Sequence, residues 1–106
     1  MSVTYLIRFK THPEKREKFL RLINGVLDAM RHEQSFISAT LHRDPADAHG
    51  YLLHETWQNR QDVLNVQLKR DYRNEWHDAL PELLQEPRDI SVWEELRSDN
   101  NRKLPV

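Results

Sequence analysis

The order of its hydrophobic periods constrains this chain more than any single motif, because few folds run strand, helix, strand, strand, helix, strand. In residues 3–10, Val3, Tyr5, Ile7 and Phe9 share one parity and Thr4, Leu6, Arg8 and Lys10 the other. That is the period-two pattern of a strand. Thr11-His12-Pro13 then starts a helix, with Pro13 suited to its first turn. Phe19, Leu20, Ile23, Val26, Leu27 and Met30 lay one apolar stripe along that helix. Gly25 interrupts it at a cost of about 1 kcal/mol relative to Ala, which a close neighbouring backbone would justify. Residues 35–43 predict a second strand, the turn formers of 44–50 a hairpin loop, and residues 51–58 a third strand.

After Asn59, Val63, Leu64 and Leu68 predict a short helix, and Lys69-Arg70-Asp71 a break. Tyr72, Trp76, Ala79, Leu80, Leu83 and Leu84 form the second apolar stripe. Pro81 predicts a kink or restart within it, since proline removes a helical hydrogen bond and crowds the preceding turn. Glu86-Pro87 ends the helical region, residues 89–97 alternate as a fourth strand, and 98–106 form a polar tail. The reading is therefore α+β: one ferredoxin-like βαββαβ domain over residues 1–97, with an antiparallel sheet and both helices on one face.

Two helices cover only one side of such a sheet. The third strand nonetheless carries Tyr51, Leu53 and Trp57 on one parity and Leu52 on the other, and the fourth sets Ile90 and Val92 against Trp93. An apolar sheet face left bare in water marks an interface. The same face of a second copy is the simplest symmetric cover, which predicts a homodimer closed as an α/β barrel.

Composition narrows the function classes. Sixteen basic against 17 acidic residues among 106 give no field to draw in nucleic acid or an anionic membrane. The chain has no cysteine, so disulfides, thiolate metal sites and a cysteine nucleophile are excluded. No signal-peptide layout and no apolar run near the roughly 20 residues of a membrane span are present, and the expected location is cytoplasmic. His42, His49 and His54 flank the hairpin, but their spacing matches no standard zinc pattern, so no metal is expected.

The strand leading to Pro13-Glu14-Lys15, the hairpin Leu41-His42-Arg43-Asp44-Pro45, the pair Glu55-x-Trp57 and the run Ala79-Leu80-Pro81-Glu82-Leu83-Leu84 together resemble the antibiotic biosynthesis monooxygenase (ABM) family. The resemblance covers roughly residues 3 to 96. It implies a dimeric barrel and, as in several members, oxygenation of a small phenolic, quinol or polyketide-like aromatic molecule by dioxygen with no cofactor. A relative of similar fold implies one alternative, isomerisation of a small carbonyl or sugar-derived metabolite; a second is a dimeric barrel that binds a small molecule without turnover. The chain departs from the family where Arg70, Asp71 and Tyr72 replace a Ser-Pro-His-like pattern, and where the first strand lacks an Asn. The axial His that a haem-degrading relative would need is therefore missing from that position and would have to come from elsewhere.

The resemblance makes Trp57 the pocket tryptophan that stacks on a flat ring, unless it only packs in the core at the dimer interface. Glu55 has the same parity and is either a general base or half of an ion pair across the dimer with Arg8 or Arg43. His54 has the opposite parity and cannot share a cavity with Trp57 on a regular strand. His42, before the hairpin, is a candidate proton shuttle at a pocket mouth. Tyr72 stands where the family has its helical His and can hold a substrate oxygen. Trp76, four residues on, shares its helix face. The candidates are then Glu55, Tyr72 and His42 for catalysis, and Trp57, Arg8, Trp76 and His54 for substrate binding.

Overall fold

The computed structural model describes residues 2–101, and the rest of the tail expected over 98–106 lies outside them. Strands β1 (Val3–Lys10), β2 (Phe36–Asp44), β3 (Asp47–Trp57) and β4 (Asp89–Trp93) form one antiparallel sheet in the order β2-β3-β1-β4. Helix α1 (Arg16–Met30) joins β1 to β2. A broken helical stretch joins β3 to β4: α2 (Arg60–Asn65), short turns over 67–69 and 71–73, and α3 (Asn74–Leu83). The α+β, ferredoxin-like expectation holds.

Odd-numbered residues of β1 and β3 face one another across the ladder, Val3 with Trp57, Tyr5 with Glu55, Ile7 with Leu53 and Phe9 with Tyr51. All eight are buried, and they meet the buried stripes of α1 and α3 in a single core. Its centre is aromatic: Phe19, fully enclosed, lies 5.2 Å from the Phe9 ring, 4.9 Å from Tyr51 and 5.6 Å from Trp76. Such offset and edge-on pairs add to what burial alone contributes. Leu22 joins the buried stripe of α1 while Leu20 and Leu27 sit at its margin, one step round from the sequence expectation.

The helix-free face is less apolar than the sequence suggested. Its largest apolar groups are Leu6, Leu52 and Trp93, set among Thr40, His42, His54 and Ser91. Thr4 and Thr56 are buried there and hydrogen-bonded to each other through their hydroxyls at 2.9 Å. Ile90 and Val92 point to the helix side of the edge strand and stay partly exposed beyond the helices.

Four expectations are corrected. The hairpin is a tight turn at Pro45-Ala46, not a loop to residue 50: Asp44 pairs with Asp47, and their carboxylates accept the backbone N–H groups of Ala46 and His49. Gly50 has its reason here, because an added Cβ would sit 3.1 Å from the Asp44 Cβ. The fourth strand ends at Trp93, opposite Thr4, since Val3 is the last residue of β1 left beyond that pair. Pro81 lies inside one helical run to Leu83, with no restart. Finally, no neighbour crowds Gly25: a Cβ there meets nothing within 4 Å. Gly25→Ala should therefore raise unfolding free energy by about 0.5–1 kcal/mol, measured by urea denaturation; destabilisation would mean that the helix needs the glycine.

Candidate active site

Between the sheet and the helices lies a cavity of about 240 Å³. Its walls are mostly apolar, with Ile7 and Leu53 from the sheet, Ile23 and Met30 from α1, and Trp76 from α3. Its polar lining is confined to Tyr5, Glu55, Arg73, His77 and Arg88. Pockets for drug-sized ligands run to roughly 300–1,000 Å³, so this one suits a small molecule.

Glu55 is 6% exposed. The regular alternation of β3 turns its side chain inward, as with Leu53 before it and Trp57 after it. One carboxyl oxygen accepts a hydrogen bond from the Trp57 indole N–H at 3.2 Å, the one hydrogen bond this carboxyl makes among the described residues. Burial pushes its pKa above the ordinary 4.5, and that bond, followed by the charges of Arg73 and Arg88, only partly opposes the rise. A carboxyl held so, with its pKa raised, is suited to taking up and returning a proton.

Arg73 ends the turn before α3 and is 6% exposed. Its guanidinium lies 5.9 Å from the Trp57 ring and 5.6 Å from the Tyr72 ring, within cation–π range. Its Nε and Nη2 are shut from water with no acceptor, as is the Tyr72 hydroxyl. Arg73 is close enough to the Tyr72 phenol to favour its ionised form, although burial dominates and raises that pKa, and no well-formed hydrogen bond joins them. The Tyr5 hydroxyl is likewise buried without a partner, and its pKa is raised chiefly by burial. One helical turn beyond Arg73, His77 has its pKa lowered by burial first and then by Arg88 and Arg73, so it lines the cavity as a neutral imidazole.

The candidates read from the sequence divide between the two faces. Glu55 and Trp76 line the cavity. Trp57 is fully enclosed and does not line it, so its ring contacts Phe36 and Arg73 while its N–H holds Glu55. Tyr72 packs at the core margin behind Arg73. Arg8, His42 and His54 lie on the helix-free face, where Arg8 and His42 border a shallow groove beside the hairpin. Glu55 thus faces Arg73 and Arg88 of its own chain, not Arg8. Sequence reasoning passed over Arg73, His77 and Arg88. The i, i+4 spacing of Arg73 and His77 on the face of Trp76 and Leu80 was the available signal.

The segment from α2 to Lys69 roofs the cavity through Val63, Leu64 and Leu68. Asn59 caps α2, accepting the Asp62 N–H at 2.6 Å. A polar clasp ties the roof to the turn after α1. The Ser35 hydroxyl donates to Asp62, Gln67 Nε2 donates to Glu33 at 3.0 Å and to Asp62 at 3.1 Å, and Arg70 donates to Glu33 at 3.1 Å. Among the described residues, no helix is long and apolar enough to cross a membrane.

Comparison with known proteins places this architecture. A family model described as antibiotic biosynthesis monooxygenase matches residues 2–79. "Putative monooxygenase GME11364" of Pestalotiopsis microspora is 29% identical over 106 residues, covering 99% of this chain and 88% of its own. An uncharacterised Synechocystis protein, sll1783, is 29% identical over 84 residues, 79% of this chain and 56% of its own length. Among solved structures, Rv0793 of Mycobacterium tuberculosis superposes with a TM-score of 0.84 at 19% identity, covering 94% of this chain and all of that one. SnoaB, a cofactor-independent oxygenase from Streptomyces nogalater, superposes at 0.78 with 18% identity over 92% and 95% of the two chains; at such identities the likeness is one of fold. The extent of the family match decides the matter: this chain belongs to the antibiotic biosynthesis monooxygenase family.

Proposed function

We propose that the protein is a cofactor-independent monooxygenase of a small phenolic or quinol-type aromatic molecule, bound between sheet and helices. The observation that carries this reading is the buried Glu55 carboxyl, held by the Trp57 N–H at the polar end of an otherwise apolar cavity. Family membership and the cofactor-independent oxygenase among proteins of the same fold support it.

Glu55 takes the phenolic proton, and the cationic side chains of Arg73 and Arg88 stabilise the anion as it forms. A hydrogen-bearing ring carbon ortho or para to the oxygen then passes an electron to dioxygen, and the radical and superoxide combine into a C–O bond. The peroxide anion takes up the proton held by Glu55. The hydrogen on the oxygenated carbon then passes to the Glu55 carboxylate as the O–O bond breaks, and Glu55 hands that proton to the departing hydroxide to make water. One oxygen atom stays as a carbonyl and the other leaves in water, so no external reductant enters. Trp76 lines the apolar wall against which the ring lies, while Trp57 is a positioning residue for Glu55.

We further propose that two copies pair through the helix-free face. Leu6, Leu52 and the half-exposed Trp93 support this arrangement. Sedimentation velocity should show a dimer at micromolar concentration that Trp93→Glu weakens; a wild-type monomer would rule the pairing out.

Glu55→Gln should lower kcat by about 10²–10⁴-fold, the usual worth of a positioned base, in oxygen uptake with a hydroquinone and anthrone panel. Uptake and ¹⁸O incorporation absent from the wild type across that panel would defeat the oxygenase reading. The same variant should gain stability at neutral pH. A native pKa raised above the unfolded value means the native state holds more protons, so wild-type stability falls as pH rises from the ordinary carboxyl range through the native pKa. Denaturation of Glu55→Gln should show that fall removed. Trp57→Phe deletes a donor that favours the carboxylate, so the ascending limb of its pH–rate profile should move to higher pH; an unmoved limb would show that the indole does not tune the base.

A further inference from the structure

The cavity carries an uncompensated charge. Its ionisable lining amounts to one carboxyl, Glu55, and two guanidiniums, Arg73 and Arg88, beside a neutral His77 and the phenol of Tyr5. Arginine stays charged inside proteins, so even with Glu55 ionised the chamber holds one positive charge in excess. None of the ion pairs among the described residues includes Arg73, Arg88 or Glu55. The carboxylates nearest in sequence, Asp71 and Glu75 beside Arg73 and Glu86 and Asp89 beside Arg88, are exposed to water, where charge is screened.

Arg73 is the sharper half of this imbalance. It is more than nine-tenths buried and borders the cavity; its Nε and Nη2 are enclosed beside the Trp57 and Tyr72 rings without an acceptor, and Nη1 alone of its guanidinium nitrogens lies outside that enclosure. Buried charges and donors are ordinarily paired, because leaving them alone is costly. The proton transfer proposed above does not mend this: moving a proton from a phenol to Glu55 leaves the sum of charges in the chamber unchanged. A ligand bringing one negative charge of its own sets that sum to zero, both before and after the transfer.

The rest of the lining says what carries that charge. Ile7, Ile23, Met30, Leu53 and Trp76 make walls that a small inorganic anion would leave unfilled. An amphiphile with an apolar body and one anionic end fits both parts. A carboxylate supplies a single charge and a planar pair of acceptors that matches guanidinium geometry. A phosphate ester would bring up to two charges towards the Glu55 carboxylate.

We propose that the natural ligand is a small aromatic carboxylic acid whose carboxylate is held by Arg73 and Arg88, while its ring lies along the apolar wall beside Trp76. This inference deepens the oxygenase reading by naming the substrate class, and it rests on that reading for the reaction alone.

Binding separates the two. Calorimetric titration of the full-length wild type under anaerobic conditions should give 2-naphthoic acid a Kd at least about tenfold below that of 2-naphthamide, and below that of 2-naphthyl phosphate. Arg88→Gln, which alters the less buried cation, should bring the acid to the level of the amide and leave the amide unchanged. Arg73→Lys, checked for native circular dichroism, should weaken the acid alone. Equal affinity of acid and amide, preference for the phosphate, or failure of all three to bind would overturn the carboxylate assignment. A separate oxygen-uptake comparison of hydroquinones with and without a ring carboxylate distinguishes the claims. Turnover indifferent to the carboxylate keeps the oxygenase and defeats the subsite. Tight binding of the acid with no oxygen consumed by either hydroquinone does the reverse.

Discussion

The register between β1 and β3 is the constraint on which everything else rests. Pairing Tyr5 with Glu55 and Val3 with Trp57 sends one parity of both strands towards the helices. Because strand side chains alternate faces, a slip of one residue on β3 would turn His54 and Thr56 inward and put Glu55 and Trp57 outside. The aromatic cluster of Phe9, Phe19, Tyr51 and Trp76 forbids that slip, since it closes only when Phe9 and Tyr51 meet α1 and α3 together. The same contacts that stabilise the sheet therefore deliver the carboxyl to the cavity.

That delivery works against stability. A buried carboxyl with a raised pKa, beside a guanidinium that lacks acceptors, is a polar cluster that a well-packed apolar group would replace at a gain. The fold tolerates it because most of the remaining interior is apolar and closely packed. The cluster therefore adds little to stability, and Trp57 belongs both to it and to the apolar interior. Its ring fills the core against Phe36 while its one polar atom orients Glu55.

Element order, both helix stripes and the inward parity of Glu55 and Trp57 were legible in the sequence, because each rests on a period that local sequence displays. The turn at Pro45-Ala46 and the early end of β4 were not. The first depends on aspartate side chains folding back on the backbone, the second on where the partner strand stops. Within the site, Glu55 was found from strand parity alone. Arg73 was missed because an arginine beside a helix start reads as a solvated charge, and only tertiary packing places it between two aromatic rings. For Trp57 the sequence left stacking on a ligand and packing in the core both open; its depth in the sheet goes with contact to Phe36 on β2, which no local pattern reveals. Arg8, His42 and His54 fell on the opposite face by the same alternation that located Glu55.

The clasp over the cavity differs in kind from what lies beneath it. Ser35, Glu33, Asp62, Gln67 and Arg70 hold the roof by hydrogen bonds and charge, several of them reaching the surface, while the sheet below is held by apolar packing. Water competes for the former and not for the latter. Opening the roof would therefore break polar contacts and melting the sheet apolar ones, and the strands that hold Glu55 keep their packing whether or not the clasp is closed.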